Sequence, residues 1–151
     1  MKQTLIFPKD SPSCLFCRIV NGDLPSFNVL NTNECLAFLD HRPLFHGHCL
    51  VIPKRHVEIL PELPSDLLTP LFAQVQLLAH CIQKAMDAEG TFIAINNRVS
   101  QSVPHLHVHV VPRRKKDGLK GFFWPRTPYK TENEQRLVQE KIQAVLADAS
   151  L

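Results

Sequence analysis

Three histidines occupy alternate positions, His105, His107 and His109, inside an apolar run that ends at Pro112. Alternation is the period of a β-strand, so the pattern predicts that the three rings leave one face of a strand, about 6.6 Å apart along it. Imidazoles titrate near neutral pH and interact with both metals and phosphates. In an ordinary core each ring would need its own partner, so we interpret residues 103–111 as a functional strand.

Three chemical roles are open to such a strand. It can hold a catalytic zinc ion together with a distant third ligand. It can supply a nucleophile and an electrophile for group transfer at phosphorus. It can also bind phosphate without any turnover. The residue types by themselves leave all three roles open.

A second pair of reactive residues, Cys14 and Cys17, has Cys-x-x-Cys spacing. This spacing is typical of zinc sites and of thiol redox sites, and the redox motif favours a βαβ context that this part of the sequence lacks. A closed zinc site needs two further nitrogen or sulfur donors, and His56 and one histidine of the run are available. Their spacing is not that of a zinc finger, so zinc and a metal-free dithiol both remain open at this point.

Short apolar segments predict the strands that position these residues. Strands are predicted at 36–40 and 49–53, and the connection between them is rich in histidine, proline and glycine and long enough to shape a site. Another strand is predicted at 91–96. With the histidine strand it predicts an antiparallel hairpin.

Two helices are predicted from apolar stripes and capping residues. The central helix begins either with Ser65 as its N-cap or with Thr69 as its N-cap and Pro70 as its first residue, and Gly90 is expected to stop it. A capping box at 131–134 predicts a C-terminal helix. These elements indicate an α+β fold, an antiparallel sheet with a central and a C-terminal helix. The apolar stripes are Leu71, Val75, Leu78, Ile82 and Met86 in the first helix and Leu137, Ile142, Val145 and Leu146 in the second.

Composition is that of a soluble globular protein, with 44% hydrophobic and 21% charged residues in a length of 151. The net charge of +3 does not indicate duplex nucleic-acid binding, although the basic run 113–116 can attract a polyanionic substrate. No segment approaches the ~20 apolar residues of a membrane span or contains the apolar stretch of a secretory signal. Five cysteines, an odd number, do not indicate a disulfide framework, so we expect a cytoplasmic location.

The organisation of the chain is expected to be simple. No internal repeat or low-complexity tract divides it. We expect a flexible N-terminal tail at 1–13 and a single domain over 14–151, with its core at 14–112 and a C-terminal loop and helix at 113–151. The aromatic segment 121–126 is expected to be part of that loop.

The segment from about residue 14 to 112 resembles the histidine triad (HIT) superfamily, whose signature is His-φ-His-φ-His-φ-φ with apolar φ. Residues 105–111 satisfy this signature at every position. Segments 101–103, 38–40 and 51–56 are also similar to the usual family pattern. The resemblance implies a HIT-like antiparallel sheet of about five strands and a homodimer.

The resemblance implies chemistry at the α-phosphate of nucleoside monophosphate conjugates, such as phosphoramidates or mixed anhydrides of AMP or GMP. His107 would attack phosphorus and form a covalent nucleotidyl-histidine, which water or another acceptor then breaks. His109 would hydrogen-bond the phosphate, and Gln101 and Ser102 would act similarly or assist the leaving group. His107, His109 and Gln101 are therefore the implied catalytic residues.

A set of nucleotide-binding positions follows from the same resemblance. Asp40 would accept hydrogen bonds from ribose hydroxyls, and His48 matches a family histidine near the active site. Apolar members of the set would line the base pocket, although ordinary core packing explains them equally well. The full set is Phe16, Ile19, Leu24, Phe38, Asp40, His48, Asn96, Gln101, Ser102 and His109.

The resemblance also implies a structural zinc ion and no organic cofactor. In members that keep the Cys-x-x-Cys pair, zinc is held at positions that correspond here to Cys14, Cys17, His56 and His105. Four protein ligands close the coordination shell, so the ion would be structural and would fasten the N-terminal segment to the catalytic strand.

One segment departs from the family pattern. Members commonly have Asn-x-Gly-x-x-x-Gly-Gln before the triad, whereas residues 96–101 contain no glycine and are about two residues shorter. A glycine-rich turn lets the backbone approach phosphate closely, so the departure predicts a different leaving-group preference.

Other functions remain open beside the leading one. The basic run 113–116 favours asymmetric cleavage of dinucleoside polyphosphates such as diadenosine tri- or tetraphosphate. A purine-nucleotide-binding regulatory module with incidental turnover is a different class, and a hydrolase with zinc on the triad itself is another. No membrane and no sequence-specific nucleic acid is expected as a partner.

Overall fold

A computed structural model describes residues 13–119 and 127–148. Within the described residues, the backbone divides after residue 117 into two compact units. The predicted tail, apart from residue 13, and the aromatic segment 121–126 lie outside the described residues, and the single domain over 14–151 stays a prediction. None of the helices in the described ranges is both long and apolar enough to span a membrane.

The first unit is built on a five-stranded antiparallel sheet, which confirms the predicted α+β fold. The strand order across the sheet is β1-β2-β3-β5-β4, so the predicted antiparallel pairing of the histidine strand with the strand before it is also confirmed. The strands are β1 Asn28–Asn31, β2 Cys35–Leu39, β3 Cys49–Pro53, β4 Gly90–Ala94 and β5 Val108–Arg113. The helices are α1 Leu15–Val20, α2 Ser65–Ala85 and, in the second unit, α3 Glu132–Asp148.

The two faces of the sheet carry separate apolar clusters. Alternate residues of β2 show the division, because Cys35 and Ala37 pack towards α2 while Leu36 and Phe38 pack towards α1. The predicted stripe of α2 is buried on the first face, through Leu71, Val75, Leu78 and Ile82. Because α2 covers one face, the candidate functional residues are expected on the other face, towards α1.

The histidine strand is shorter than the predicted range 103–111. β5 begins only at Val108 and continues to Arg113. Its pairing with β3 stops at Val51 opposite Val108; in the same register Ile52 would lie opposite His107 and Pro53 opposite Leu106. Proline has no N–H, and the carbonyl of Pro53 accepts a hydrogen bond from the His105 ring at 2.8 Å. Pro53 pairs with Cys35 of β2, but the β3–β5 pairing does not extend to it, so His105 and His107 precede the strand and only His109 lies in it.

Helix α2 begins near the earlier of its two predicted starts. Its first residue is Ser65, so a start at Thr69 is wrong and Pro70 lies inside the helix. The predicted stop at Gly90 is also wrong, since α2 ends at Ala85 and Gly90 opens β4. Asp87 makes the turn instead, with a left-handed φ of 49°.

Helix α3 confirms the predicted capping box in a modified form. The backbone N–H of Glu134 donates to the hydroxyl of Thr131 at 3.1 Å, while the Glu134 carboxylate accepts from the N–H of Lys130 at 2.7 Å. The carboxylate thus reaches one residue further back than in the usual box. Within this unit, Leu137, Ile142 and Val145 of the predicted stripe are exposed, and the side chain of Leu146 lies outside the described ones.

Candidate functional site

A helix that the sequence did not predict brings the two cysteines together. Cys14 is the N-cap of α1, and its Sγ accepts a hydrogen bond from the backbone N–H of Cys17. Residues three apart in the first helical turn lie on the same side, so both thiols face the same space. Both cysteines are buried.

Two histidines from distant segments complete a four-residue cluster with these thiols. The Nδ1 atom of His105 lies 3.5 Å from Sγ of Cys14 and 3.6 Å from Sγ of Cys17. The Nδ1 atom of His56 lies 3.2 Å from Sγ of Cys17. All four candidate ligand atoms lie within 4.8 Å of one another.

The donor set fits a tetrahedral zinc ion. Zinc–sulfur and zinc–nitrogen bonds of about 2.3 and 2.0 Å place sulfur and nitrogen about 3.5 Å apart in a tetrahedron. The three sulfur–nitrogen distances, 3.2 to 3.6 Å, agree with that spacing. Two thiolates and two neutral imidazoles are a common set for structural zinc, and four protein donors leave no open coordination position.

The ring of His105 is prepared to act as a ligand. Its Nε2 atom donates to the carbonyl of Pro53 at 2.8 Å, which leaves the lone pair on Nδ1, the atom that faces the cysteines. Burial lowers the pKa of His105 to about 4. The ring is therefore neutral near pH 7, as a metal ligand must be.

His107 has the opposite arrangement of its two nitrogens. Its Nδ1 atom donates to the carbonyl of His105 at 2.7 Å, because a carbonyl oxygen can only accept. In the neutral ring the lone pair is then on Nε2. The side chain is 3% exposed, and its ring contacts those of Phe16 and His109 with centroids 5.3 and 5.0 Å away.

A chain of hydrogen bonds fixes the tautomer of His109. The backbone N–H of Leu44 donates to Nδ1 of His48 at 3.1 Å, so the proton of a neutral His48 is on Nε2. That Nε2 atom lies 2.9 Å from Nδ1 of His109 and donates to it. The proton of His109 is consequently on Nε2, which makes this atom a hydrogen-bond donor.

Electrostatics keeps these two rings neutral. Burial is the largest cause that lowers the pKa of His48, and it also lowers the pKa of His109 to about 4, with further lowering from His107. Asp40 opposes both shifts, since one of its carboxylate oxygens lies 3.6 Å from Nε2 of His48. Possible metal-ligand atoms of Asp40, His48 and His109 lie within 4.8 Å of one another. Nε2 of His48 carries a proton, however, so this atom has no free lone pair with which to bind a metal. Within the trio a hydrogen bond joins His48 to His109, while Asp40 interacts with His48 electrostatically.

Three of the predicted base-pocket residues, Phe16, Ile19 and Phe38, belong to the apolar cluster on the α1 side of the sheet. Phe16 packs edge-on against Phe38 with centroids 5.4 Å apart, and Ile19 packs against the same cluster. Leu24 is half-buried in the turn after α1. Phe16 thus contacts the ring of His107 on one side and the apolar cluster on the other.

The residues predicted from the segment before the triad are arranged differently. The Gln101 amide donates to the carbonyl of Glu58 at 2.7 Å and accepts from the N–H of Arg98 at 2.8 Å. Asn96 donates to the carbonyl of Ser100 at 3.3 Å, and Ser102 is exposed. The Asn96 side chain is thus bonded within its own loop. The Gln101 side chain is bonded both to its own loop and to the segment after His56.

The basic run lies at the far end of β5 from His109. Arg113 forms a two-pronged ion pair with Asp117, and Arg114 donates to the carbonyls of Met86 and Asp87 at the end of α2. These two charges therefore stabilise the fold at that end. Cleavage of a long polyphosphate substrate stays a prediction.

Backbone groups supply contacts that sequence reasoning missed. The N–H of Leu44 and the carbonyls of Pro53 and His105 orient the rings of His48, His105 and His107. Any residue type carries such groups, so side-chain identity gave no signal for Leu44. Pro53 was visible only as part of the Pro53-Lys-Arg-His56 pattern.

Two named proteins are similar in sequence to most of this chain. An adenylylsulfatase of Arabidopsis thaliana is 35% identical over 108 residues, which are 70% of this chain and 55% of that protein. An adenosine 5'-monophosphoramidase of Schizosaccharomyces pombe is 36% identical over 130 residues, 85% of this chain and 95% of that protein.

Solved structures and a family model agree with these relatives. A crystal structure from Streptococcus mutans is 37% identical, with a TM-score of 0.82 and coverage of 92% of this chain and 88% of the other. A zinc-bound histidine triad family protein from Mycobacterium smegmatis is 36% identical, with a TM-score of 0.68 and coverage of 91% and 98%. The model described as HIT domain matches residues 21–116, more than half of the chain. The chain therefore belongs to the HIT domain family.

Proposed function

We propose that this protein is a nucleotide hydrolase or transferase that acts at the α-phosphate of nucleoside monophosphate conjugates, such as phosphoramidates or mixed anhydrides of AMP or GMP. One observation carries the proposal, the opposite tautomers of two adjacent rings. His107 has a lone pair on Nε2, and His109 has a proton on Nε2. A nucleophile beside a neutral hydrogen-bond donor is the pair that transfer at phosphorus requires.

The proposed reaction has two displacements. The Nε2 lone pair of His107 forms a bond to phosphorus as the bond to the leaving group breaks, and the leaving group departs with its electron pair and takes up a proton from solvent. The nucleotidyl ring is then cationic, and the His105 carbonyl stabilises the proton that remains on Nδ1. Water attacks phosphorus next as the bond between phosphorus and Nε2 breaks, which returns the electron pair to the His107 ring, and the proton of the water passes to solvent. His109 donates to a phosphate oxygen throughout.

The side chains near His107 and the names of two relatives both support a nucleotide as the substrate. Phe16 and Phe38 form an apolar edge beside His107, which suits a purine base, and the Asp40 carboxylate suits ribose hydroxyls. The names of the two relatives, an adenylylsulfatase and an adenosine monophosphoramidase, fit a conjugate of AMP.

Structural zinc belongs to the same proposal. Cys14, Cys17, His56 and His105 would hold the ion, which would supply only a rigid cross-link between segments because its shell would be closed. A homodimer is proposed from the family resemblance alone. A reducing, cytoplasmic location agrees with five free cysteines, of which Cys35 and Cys49 have pKa values raised by burial to about 11.

A substrate panel tests the proposed function. Tryptamine phosphoramidates of adenosine and guanosine, AMP-lysine, and diadenosine tri- and tetraphosphate would be offered to the wild type and to His107→Ala. We expect the phosphoramidates to be turned over fastest, and the variant to lose at least about a thousandfold in kcat/KM. Wild-type turnover that persists in His107→Ala would overturn the nucleophile, and a preference for the polyphosphates would overturn the substrate class.

Two controls separate catalysis from binding. His80→Ala removes an exposed histidine of α2, the helix on the other face of the sheet, and should leave kcat/KM unchanged. An alkaline quench of wild type with substrate, followed by intact mass measurement, should detect one nucleotidyl group that His107→Ala lacks. Tight nucleotide binding with no turnover of any substrate would favour the regulatory module instead.

A further inference from the structure

The loop before the triad adopts a costly backbone conformation without glycine. Arg98 and Ser100 both have left-handed φ angles, 66° and 60°. A side chain with a Cβ disfavours this region, so the loop must be held in place by other interactions. Val99, between them, is 81% exposed and contributes little packing.

Side-chain amides supply three of the hydrogen bonds that hold this loop, beside an ion pair between Arg98 and Glu62 at 3.1 Å. Gln101 accepts from the N–H of Arg98 at 2.8 Å and donates to the carbonyl of Glu58 at 2.7 Å. Asn97 accepts from the N–H of Leu60 at 2.9 Å. We call these three hydrogen bonds the amide latch. The latch joins residues 97–101 to residues 58–60, which follow the candidate zinc ligand His56.

The run between the latch and the nucleophile is fastened at both ends. The N–H of Leu106 donates to the carbonyl of Val57 at 2.6 Å, one residue before Glu58, the Gln101 acceptor. Residues 102–105 therefore span two adjacent anchor points. The carbonyl of His105, at the end of this span, orients Nδ1 of His107. A shift of the first anchor would be transmitted along four residues to the nucleophile.

We propose that Gln101 is a positioning residue that acts through the amide latch, and that it does not contact the substrate. The kinetic part of this inference rests on the proposed function. Turning the Gln101 amide towards a leaving group would break its bonds to Glu58 and Arg98 and release the left-handed loop. Loss of Gln101 should therefore slow every substrate alike, since the defect is in the placement of His107.

A double-mutant cycle tests the kinetic part. Gln101→Leu and Asn97→Ala should each lower kcat by about ten- to a hundredfold, equally for amine and anhydride leaving groups and with little change in KM. The double variant should be no slower than the worse single variant, because one latch is being broken. A loss that depends on the leaving group, additive losses, or normal activity in Asn97→Ala would overturn the proposal.

Amide hydrogen exchange tests the latch without any activity. In Gln101→Leu, exchange should accelerate at Leu60, although its acceptor is Asn97, as well as at Arg98. Unchanged protection of Leu60 would overturn the latch even if the protein proved inactive on every substrate. The exchange rates can be measured and interpreted even if the proposed function is wrong, because they do not depend on turnover.

Three further variants serve as controls for the interpretation. Asn97→Asp keeps an acceptor for Leu60 and should restore most of the activity that Asn97→Ala loses, which a general loss of stability would not do. Val99→Ser alters the same loop outside the latch and should match the wild type in kcat and in exchange. If Gln101→Leu does not fold, Gln101→Glu keeps the acceptor for Arg98 but loses the donor to Glu58. It should then show the same uniform loss of kcat, and a loss that depends on the leaving group would again overturn the proposal.

Discussion

The Nδ1 atom of His107 lies 2.7 Å from the carbonyl oxygen of His105, the residue whose own ring faces Cys14 and Cys17. The proposed nucleophile is thus oriented by the backbone of a proposed zinc ligand. Under the proposed function, metal binding and catalysis would use different side chains that are joined through the backbone of His105.

Removal of zinc should lower stability first and activity only in part. We expect Cys14→Ser to lose stoichiometric zinc and to unfold at a lower temperature, with the remaining folded protein retaining a measurable kcat, because His107 and His109 are not ligands. Metal analysis, thermal unfolding and turnover would be measured together. Cys81→Ser, at an exposed thiol, is the matched control and should keep its zinc. Full zinc in Cys14→Ser would contradict the ligand set, and immediate loss of all turnover on chelation would favour zinc on the triad.

Leu44→Pro should weaken phosphate binding by changing a tautomer. The substitution removes the N–H that donates to Nδ1 of His48, so the proton of His48 is no longer confined to Nε2 and the donor role of His109 is lost in part. We expect kcat/KM to fall about five- to tenfold, the equivalent of about 1 kcal/mol for one hydrogen bond.

Nitrogen NMR of the His109 ring would report the tautomer in that variant directly. Leu44→Ala keeps the backbone N–H and is the control that should match the wild type in both measurements. Equal spectra for the proline and alanine variants would mean that Leu44 does not set the tautomer.

Stability should decrease as the pH falls from about 6.5 to about 4, in part because of His109. Its pKa is lowered from 6.5 to about 4 by burial and by His107 and His48, with Asp40 opposing. In this range the unfolded ring binds a proton that the folded ring does not, so acid favours unfolding, and the full contribution is present only above pH 6.5.

Urea unfolding of wild type and His109→Asn between pH 4 and 7.5 would measure that contribution. The variant should show a shallower dependence, by up to one proton, whereas His80→Asn at an exposed site should follow the wild type. Parallel curves for His109→Asn and the wild type would show that His109 titrates in the folded protein as it does in the unfolded chain.

Pro70→Ala should stabilise the protein. Pro70 lies inside α2 and lacks the N–H that would donate to the carbonyl of Asp66. Alanine restores this bond but allows the unfolded chain more freedom, and we expect a net gain of about 2 kcal/mol in the free energy of unfolding. Urea unfolding at neutral pH measures the change, with Thr69→Ala at the adjacent exposed position as the control. A destabilised Pro70→Ala would indicate that the proline ring makes packing contacts worth more than the missing bond.

Side-chain type and spacing predicted most of what the described residues bring together. The alternation of the triad and the apolar stripe of α2 are periodic patterns, so a strand and the central helix were accessible from the residues, whereas the cluster of Cys14, Cys17, His56 and His105 was implied by the family resemblance. The start of β5 was not accessible, because it depends on where its pairing with another strand, β3, stops. The orientation of Gln101 was not accessible either, since it depends on left-handed angles at Arg98 and Ser100 that residue type does not favour.

The four candidate zinc ligands come from three segments, and Cys14 and His105 are 91 positions apart. During synthesis the two thiols would leave the ribosome long before His105 does, so the complete metal cage would exist only after two thirds of the chain had been made. Until then the unmetallated thiols of the nascent chain would be open to oxidation. Once formed, the metal site would close a loop of about 90 residues between Cys14 and His105. The metal would therefore bind late in folding and stabilise a sheet that has already assembled.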